Sequence, residues 1–273
     1  MCNEPSCARV AVCQCSFCAK AQCAQHQAVT RAGNGLKVCQ RCLNLYQTSF
    51  AHSVPPTLVA AHNRWIAQGR RQQPGIAVDA NLWVDTFPAV GALVATCPVV
   101  IGRNGRPLVT IDRAFATSLG DLALTTPQAA IDAHIISMMW GFGRSGYGPF
   151  RTGRHLSSTG AATNLQATAQ TIQTSGIVAA FRMFVPKNAT YRLDGLGSAF
   201  STKDLFFFSN SPDRHRALIF DSVLSAWLST NVGWDIAAGT EDLQNYCEYL
   251  LAMYSWAADL GESPEDVEYV IFG

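Results

Sequence analysis

Apolar side chains recur at helical spacing through much of the chain, and the breaks between the runs are well marked. Leu58, Ala61 and Trp65 predict a short helix from Thr57 to Gly69. Thr126 before Pro127 is an N-cap followed by proline at the first helical position. The helix it opens runs through Ile131, Ile135, Met138, Met139 and Trp140 and is predicted to stop at Gly141. An Ala/Thr/Gln-rich stretch over 159–174 predicts a helix ended by Gly176, and the apolar stretch 177–184 a short one after it. Thr202 to Phe208 and Ala217 to Leu228 also read as helical. Thr240 is placed as the cap of a long helix carrying Leu243, Tyr246, Leu250, Tyr254 and Trp256, stopped near Gly261, and Ser263-Pro264 starts a last helix to Phe272. Residues 70–115 show neither period. The expected class is mainly α.

Composition narrows the picture. The chain has 273 residues, 48% hydrophobic and 14% charged, which suits a folded core and excludes a disordered polyelectrolyte. No apolar run reaches the roughly 18 residues that span a bilayer. No apolar segment of signal-peptide type follows Met1, so the expectation is a cytoplasmic protein in a reducing compartment. Residues 1–102 carry a net charge of +5, residues 103–216 +6 and residues 217–273 −10. That split predicts a basic surface able to face a polyanion, with the acidic end turned away, or else a solvated surface with no partner.

Eight of the ten cysteines lie in the first 42 residues. They form Cys2-x4-Cys7, Cys15-x2-Cys18, Cys23-x2-His26 and Cys39-x2-Cys42, with Cys13 left over. Tetrahedral zinc takes four thiolate or imidazole ligands, and short pairs supply two each. The expectation is two structural zinc ions in a module over 1–45: Cys2, Cys7, Cys23 and His26 on one, Cys15, Cys18, Cys39 and Cys42 on the other. The stretch Cys-x2-Cys-x4-Cys-x2-His resembles the AN1 and related cross-brace zinc fingers, and the alternation of pairs follows that resemblance. Disulfides are the competing reading. The module has too little core to fold without metal, and its role (DNA, a partner, or stabilising the rest) is open. Residues 46–104 are expected to hold a linker and the N-terminal part of the domain that follows, and 105–273 the helical domain itself.

Leu193-Asp194-Gly195-Leu196-Gly197 is a two-glycine turn between apparent helices. Such a turn can offer backbone N–H groups to a phosphate, or be only a turn. Lys203 follows in the otherwise apolar Ser201–Phe208 stretch, where the charged form of an amine is disfavoured and the neutral amine is a nucleophile. Asp221 lies 18 residues further on, flanked by apolar residues, and is either a functional carboxylate or the N-cap of a helix starting at Ser222. Trp140, Phe142 and Tyr147 alternate with Gly141, Gly143, Gly146 and Gly148, with Arg144, Arg151 and Arg154 beside them. Aromatics of this kind sandwich a base or fill a core; Arg151 and Arg154 suit a nucleic-acid backbone. His134, His155 and His215 are expected to be surface or core hydrogen-bonding residues.

These segments together resemble the helix-hairpin-helix DNA glycosylases. The pattern is Gly195-Leu196-Gly197-x-Ala199-Phe200-x-Thr202-Lys203, then Ala217-Leu218-Ile219-x-Asp221-Ser222, then Val267-Glu268-Tyr269-x-x-Phe272, with Trp140 to Arg151 as a further signature. It is most similar to the bacterial 8-oxoguanine glycosylase-fold group related to archaeal GO glycosylases, a group that includes anti-phage enzymes acting on glucosylated hydroxymethylcytosine. The likeness spans about 105–273, and the lysine stands six residues after the second glycine, further than in common members.

The resemblance implies that a base is flipped from duplex DNA, that Lys203 attacks the sugar and that Asp221 assists. Gly195, Gly197, Ser198, Arg151 and Arg154 would bind DNA, and Trp140, Phe142 and Tyr147 would line the base pocket. A modified base in double-stranded DNA is the expected partner, with no membrane. An 8-oxoguanine repair enzyme and an inactive zinc-finger DNA-binding or adaptor protein are the alternatives, and a zinc hydrolase is disfavoured because the ligands come in closed pairs.

Overall fold

The structure is a computed structural model and describes residues 7–8, 13–15, 17–18, 20–22, 27–29, 37–39, 42, 53–209 and 216–272. Near the N-terminus two short antiparallel pairs form. Strand β1 (Cys13–Gln14) pairs with β2 (Ala21–Gln22), and β3 (Gln27–Val29) with β4 (Lys37–Cys39). Helix α1 (Pro56–Ala67) follows, with proline at its start.

The unassigned stretch 70–115 contains a three-stranded antiparallel sheet. Its strands are β5 (Ile76–Val78), β6 (Val99–Ile101) and β7 (Pro107–Ile111), in the order β5-β7-β6. Val109 stands opposite both Val78 and Val99. Short helices α2 (Ala80–Val84) and α3 (Val90–Leu93) fill the long connection between β5 and β6.

The remainder is helical: α4 (Arg113–Gly120), α5 (Pro127–Phe142), α6 (Gly148–Leu156), α7 (Ala161–Ser175), α8 (Ile177–Phe184), α9 (Ser198–Phe208), α10 (Ser222–Val232), α11 (Leu243–Leu260) and α12 (Pro264–Phe272). The mainly α expectation holds. Thr126 caps α5 by accepting from Ala129 N at 3.1 Å, as its sequence context predicts. Helix α5 is buried on every side from Ala133 to Trp140 and packs against α4, α7 and α9. Helix α9 is just as enclosed, with Ser201 through Phe208 all buried.

Four expectations need correction. Helix α5 does not stop at Gly141 but runs through it to Phe142, with Gly143 as its C-cap. Gly141 is needed for a close approach instead: a Cβ there would lie 2.9 Å from Lys203 Cδ and 3.0 Å from the Phe200 ring. The helix carrying Lys203 begins at Ser198, not Thr202. The cap of α11 is Asp242, which accepts from Gln244 N, while Thr240 Oγ1 accepts from Asp242 N one step upstream. Residues 216–220 are extended, not helical, and only from Ser222 does a helix form.

The reason for the last is the source of their hydrogen bonds. Tyr254 and Tyr246 hydroxyls donate to the Arg216 and Leu218 carbonyls at 2.8 Å, and Tyr249 donates to Ile219 O at 2.8 Å. Ala217 N donates to Ser209 Oγ at 2.8 Å, Ile219 N to Glu268 Oε1 at 2.8 Å and Phe220 N to Thr202 Oγ1 at 3.1 Å. A buried backbone must be paired, and here side chains of α9, α11 and α12, with Ser209 just beyond α9, replace a β-ladder.

Candidate active site

Lys203 and Asp221 are brought together by the helix after the turn and the segment that ends at Asp221. Helix α8, the turn at 193–197 and helix α9 form a helix-turn-helix unit. Leu193 and Leu196 are buried and anchor the turn, while Asp194, Gly195 and Gly197 face outward. Gly195 has φ +76, a backbone state that favours glycine. A Cβ on Gly197 would meet nothing within 4 Å, so the turn is open to an approaching ligand. Asp194 N donates to Ser158 Oγ at 2.7 Å and Arg151 Nη2 donates to Gly195 O at 3.0 Å, tying the turn to the region of α6.

Lys203 lies two turns into α9 and is 5% exposed. Its Nζ donates to Asp221 Oδ2 at 3.1 Å and to Ala199 O at 3.4 Å, and sits 5.3 Å from the centre of the Phe200 ring. The surroundings are therefore apolar on the stem and carboxylate-lined at the amine. Asp221 ends the extended segment and opens α10. Its Oδ1 accepts from Val223 N and Leu224 N, so the capping reading of Asp221 holds, while Oδ2 pairs with the Lys203 amine.

Behind Asp221, Glu268 is fully buried between Ile219 N, the Tyr249 hydroxyl at 3.1 Å and Arg113 Nη2 at 3.2 Å. Burial raises its carboxyl to about 7 against the opposing pull of Arg113 and these hydrogen bonds. Burial also pushes the Tyr246, Tyr249 and Tyr254 phenols upward, so all three stay protonated and able to donate.

The aromatic residues separate. Phe142 stacks on Phe200 at 4.2 Å and so belongs to the wall beside Lys203. Trp140 is buried, edge-on to Phe207 at 5.5 Å with the Arg113 guanidinium 5.5 Å from its ring. Tyr147 is exposed, 5.4 Å from an equally exposed Phe150, with Arg151 5.9 Å from its ring. Arg154 is exposed next to Gly195. The Ser198 side chain points inward, its hydroxyl 3.5 Å from Ala238 O, so only its backbone belongs to the start of α9.

His134 is a core residue bonded to Asp204 at 2.8 Å, both fully buried. His155 packs 5.5 Å from it and is held neutral, pushed down to about 3 by burial and by the nearby His134 and Arg151. His215 lies outside the described residues. Phe200, Thr202, Phe150, Arg113 and Glu268 were not singled out as site residues in the sequence. For Glu268 the available signal was a lone carboxylate in an apolar Val-x-Tyr setting.

In the N-terminal module Cys15, Cys18, Cys39 and Cys42 come together, with all four sulfurs within 4.8 Å of one another. The Cys18–Cys39 Sγ distance of 3.9 Å is close to the edge of a tetrahedron with Zn–S of 2.3 Å, about 3.8 Å. These four residues can hold one zinc ion. Cys39 N donates to Cys15 Sγ at 3.3 Å. The Cys18 and Cys42 thiols donate to the Cys15 sulfur and hold it well below the ordinary thiol range, while the same sharing pushes Cys42 up. Of the other expected set, Cys7 is half-buried, and Cys2, Cys23 and His26 lie outside the described residues. The module is joined to the helices through Phe17, which is fully buried and whose carbonyl accepts from Val178 N at 3.3 Å.

No curated protein and no solved structure matches the chain. A family model does match, over residues 69–272, a span that includes the sheet, the turn, Lys203, Asp221 and Glu268 but not the cysteine module. The chain belongs to the DNA glycosylase family described as "Putative 8-oxoguanine DNA glycosylase OGG-like protein".

Proposed function

We propose that the protein is a DNA glycosylase that excises a modified base with Lys203 as nucleophile and Asp221 as its partner. The observation that carries this is the Lys203–Asp221 contact of 3.1 Å, between a buried amine on the helix that follows the outward-facing turn and a half-buried carboxylate at the start of α10. A base within a duplex is out of reach, so the nucleotide swings out toward this pair. Asp221 takes a proton from the Lys203 ammonium. The free amine attacks C1′ of the sugar: the N–C1′ bond forms as the bond from C1′ to the base breaks, and the base leaves with the electron pair. The proton on Asp221 passes to the departing base, and the carboxylate, ionised again, faces the positive charge left on the lysine and sugar. The bond from C1′ to the ring oxygen then breaks as a proton passes from the lysine nitrogen to that oxygen, leaving a protonated lysine–sugar imine; loss of a C2′ proton expels the 3′ phosphate, which cuts the strand and makes the protein an AP lyase as well.

Arg151 and Arg154 flank Gly195, and with Arg144 they take part in no ion pair among the described residues, so their charge is free for DNA phosphates. Gly195, Gly197 and the backbone N–H of Ser198 offer a phosphate seat at the start of α9. Phe142 lines the lysine wall of the base pocket, and Tyr147 lies at its outer rim. The module holds a second zinc on Cys2, Cys7, Cys23 and His26 beside the four-cysteine site. The protein acts in the cytoplasm, and the zinc module suits a specialised role such as anti-phage defence.

Two substrates follow from this reading, glucosylated 5-hydroxymethylcytosine in phage DNA and 8-oxoguanine in the cell's own duplex. Release of free base from each DNA, measured with purified protein, decides between them. Release from neither, with DNA bound normally, leaves the DNA-binding or adaptor reading in its place.

A further inference from the structure

Lys203 and Asp221 come from segments 18 residues apart, and their contact requires α9 and the extended segment to be held in one register. One residue upstream of each, a second contact spans the same gap. Thr202 precedes Lys203 and Phe220 precedes Asp221, and Thr202 Oγ1 accepts from Phe220 N at 3.1 Å and lies 3.4 Å from Phe220 O. The same hydroxyl can donate to Ala199 O at 3.1 Å, the carbonyl that Lys203 Nζ also reaches at 3.4 Å. Thr202 is 1% exposed and Phe220 2%, so water does not replace these bonds. The side-chain ties further upstream, from Glu268 and the tyrosines, come from α11 and α12. Ser209, just beyond α9, holds Ala217 N at the far end of the segment; among the described residues Thr202 is the side chain that ties the last residue before Asp221 to the helix that carries the lysine.

We infer that Thr202 is a positioning residue, whose hydroxyl sets the register between α9 and segment 216–220 and so holds Asp221 at the Lys203 amine. This rests on the lysine reading above and deepens it. The chemistry of a hydroxyl explains the choice of residue. It accepts the Phe220 N–H while donating its own hydrogen to a carbonyl, which valine, of the same shape, cannot do. A buried N–H left without an acceptor drives the segment to shift, and a displacement of about 1 Å between reacting groups costs up to about a hundredfold in rate.

The test uses the full-length protein and a duplex carrying a single abasic site, which needs no knowledge of the excised base. Imine formation is followed under single-turnover conditions by borohydride, which fixes the imine as a stable amine. Thr202→Val is expected to form the adduct roughly ten- to a hundredfold more slowly than wild type. Thr202→Ser, which keeps the hydroxyl, is expected to stay within about threefold, and both variants to bind the abasic duplex with wild-type affinity. Thr202→Ala is measured in parallel, so that a misfolded valine variant does not decide the matter; it is expected to be slow as well.

Valine and alanine variants that trap at the wild-type rate overturn the inference. So does equal slowing of the serine and valine variants with a matching loss of DNA affinity, since that is the behaviour of a packing residue. A wild-type protein that gives no adduct at all overturns the lysine reading itself, and the inference with it.

Discussion

Asp221 divides its two carboxylate oxygens between two tasks, one capping α10 and one holding Lys203. The two tasks can be separated by substitution. Asp221→Asn keeps an oxygen for the cap but cannot take a proton, so base release is expected to fall about 10²- to 10⁴-fold. Asp221→Ala loses the cap as well, and its melting temperature is expected to drop further, by the equivalent of about 1 kcal/mol. Single-turnover rates and thermal melts of the two variants check this; an asparagine variant at the wild-type rate removes Asp221 from the chemistry.

Glu268 gives a pH signature. Its folded value, about 7, is raised from the ordinary 4.5, so the folded state binds the extra proton in that window. Stability from this group is full below about pH 4.5 and is lost as pH rises through about 7, a change of about 3 kcal/mol. Glu268→Gln is expected to flatten that slope in denaturant titrations between pH 5 and 8, and an unchanged slope would refute the assignment. Lys203 and Asp221 were legible in the sequence because a charge stands out within an apolar stretch. Thr202 and Glu268 were not: a threonine in a helix is unremarkable, and the Ile219 contact of Glu268 is 49 residues away along the chain.

At the scale of elements, strong local signals carried through and weak ones did not. The Thr126-Pro127 start of α5 and the paired cysteines at 15, 18, 39 and 42 are local chemistry, and the structure has both. The sheet at 76–111 was hidden because two of its strands are three residues long, too short for alternation to show. Segment 216–220 read as helix because its apolar run is ambiguous, and the side chains that take up its backbone groups (tyrosines of α11, Glu268, Thr202 and Ser209) are remote in sequence.

The cysteine module also acts on a helix. Phe17 O accepts from Val178 N, one of the N–H groups that the start of α8 leaves without an intrahelical partner. Phe17→Ala is expected to destabilise the protein by about 3 kcal/mol through the lost buried ring. Chelation of zinc at the four-cysteine site is expected to lower the melting temperature of wild type but to add little to Phe17→Ala. A wild-type melt insensitive to chelation, with Phe17→Ala melting like wild type, would mean that the module does not support α8.

Across the whole molecule the charge split of the sequence resolves into pairing more than into opposed faces. Acids of the C-terminal stretch neutralise bases from earlier in the chain: Arg70–Glu262, Arg113–Glu268, Arg192–Glu241, Lys203–Asp221 and Arg216–Glu265. The expectation of an acidic end turned away is thus replaced in part by internal ion pairs. Arg151 and Arg154, beside the exposed turn, are among the described bases that take part in no ion pair. Replacing Arg151 and Arg154 by alanine is expected to weaken binding to every DNA sequence alike and to reduce the salt dependence by about one unit of slope per arginine. Binding isotherms at several salt concentrations check it, and an unchanged slope would place the DNA elsewhere.

Borohydride trapping tests Lys203 as the nucleophile. Wild-type protein and Lys203→Ala are incubated with borohydride on phage DNA carrying glucosylated cytosines, on an 8-oxoguanine duplex and on an abasic duplex. Wild type is expected to give a covalent adduct, mapped to residue 203 by peptide mass, and the alanine variant none. An adduct that persists in Lys203→Ala, or base release by wild type with no adduct on any of the three DNAs, would contradict that role.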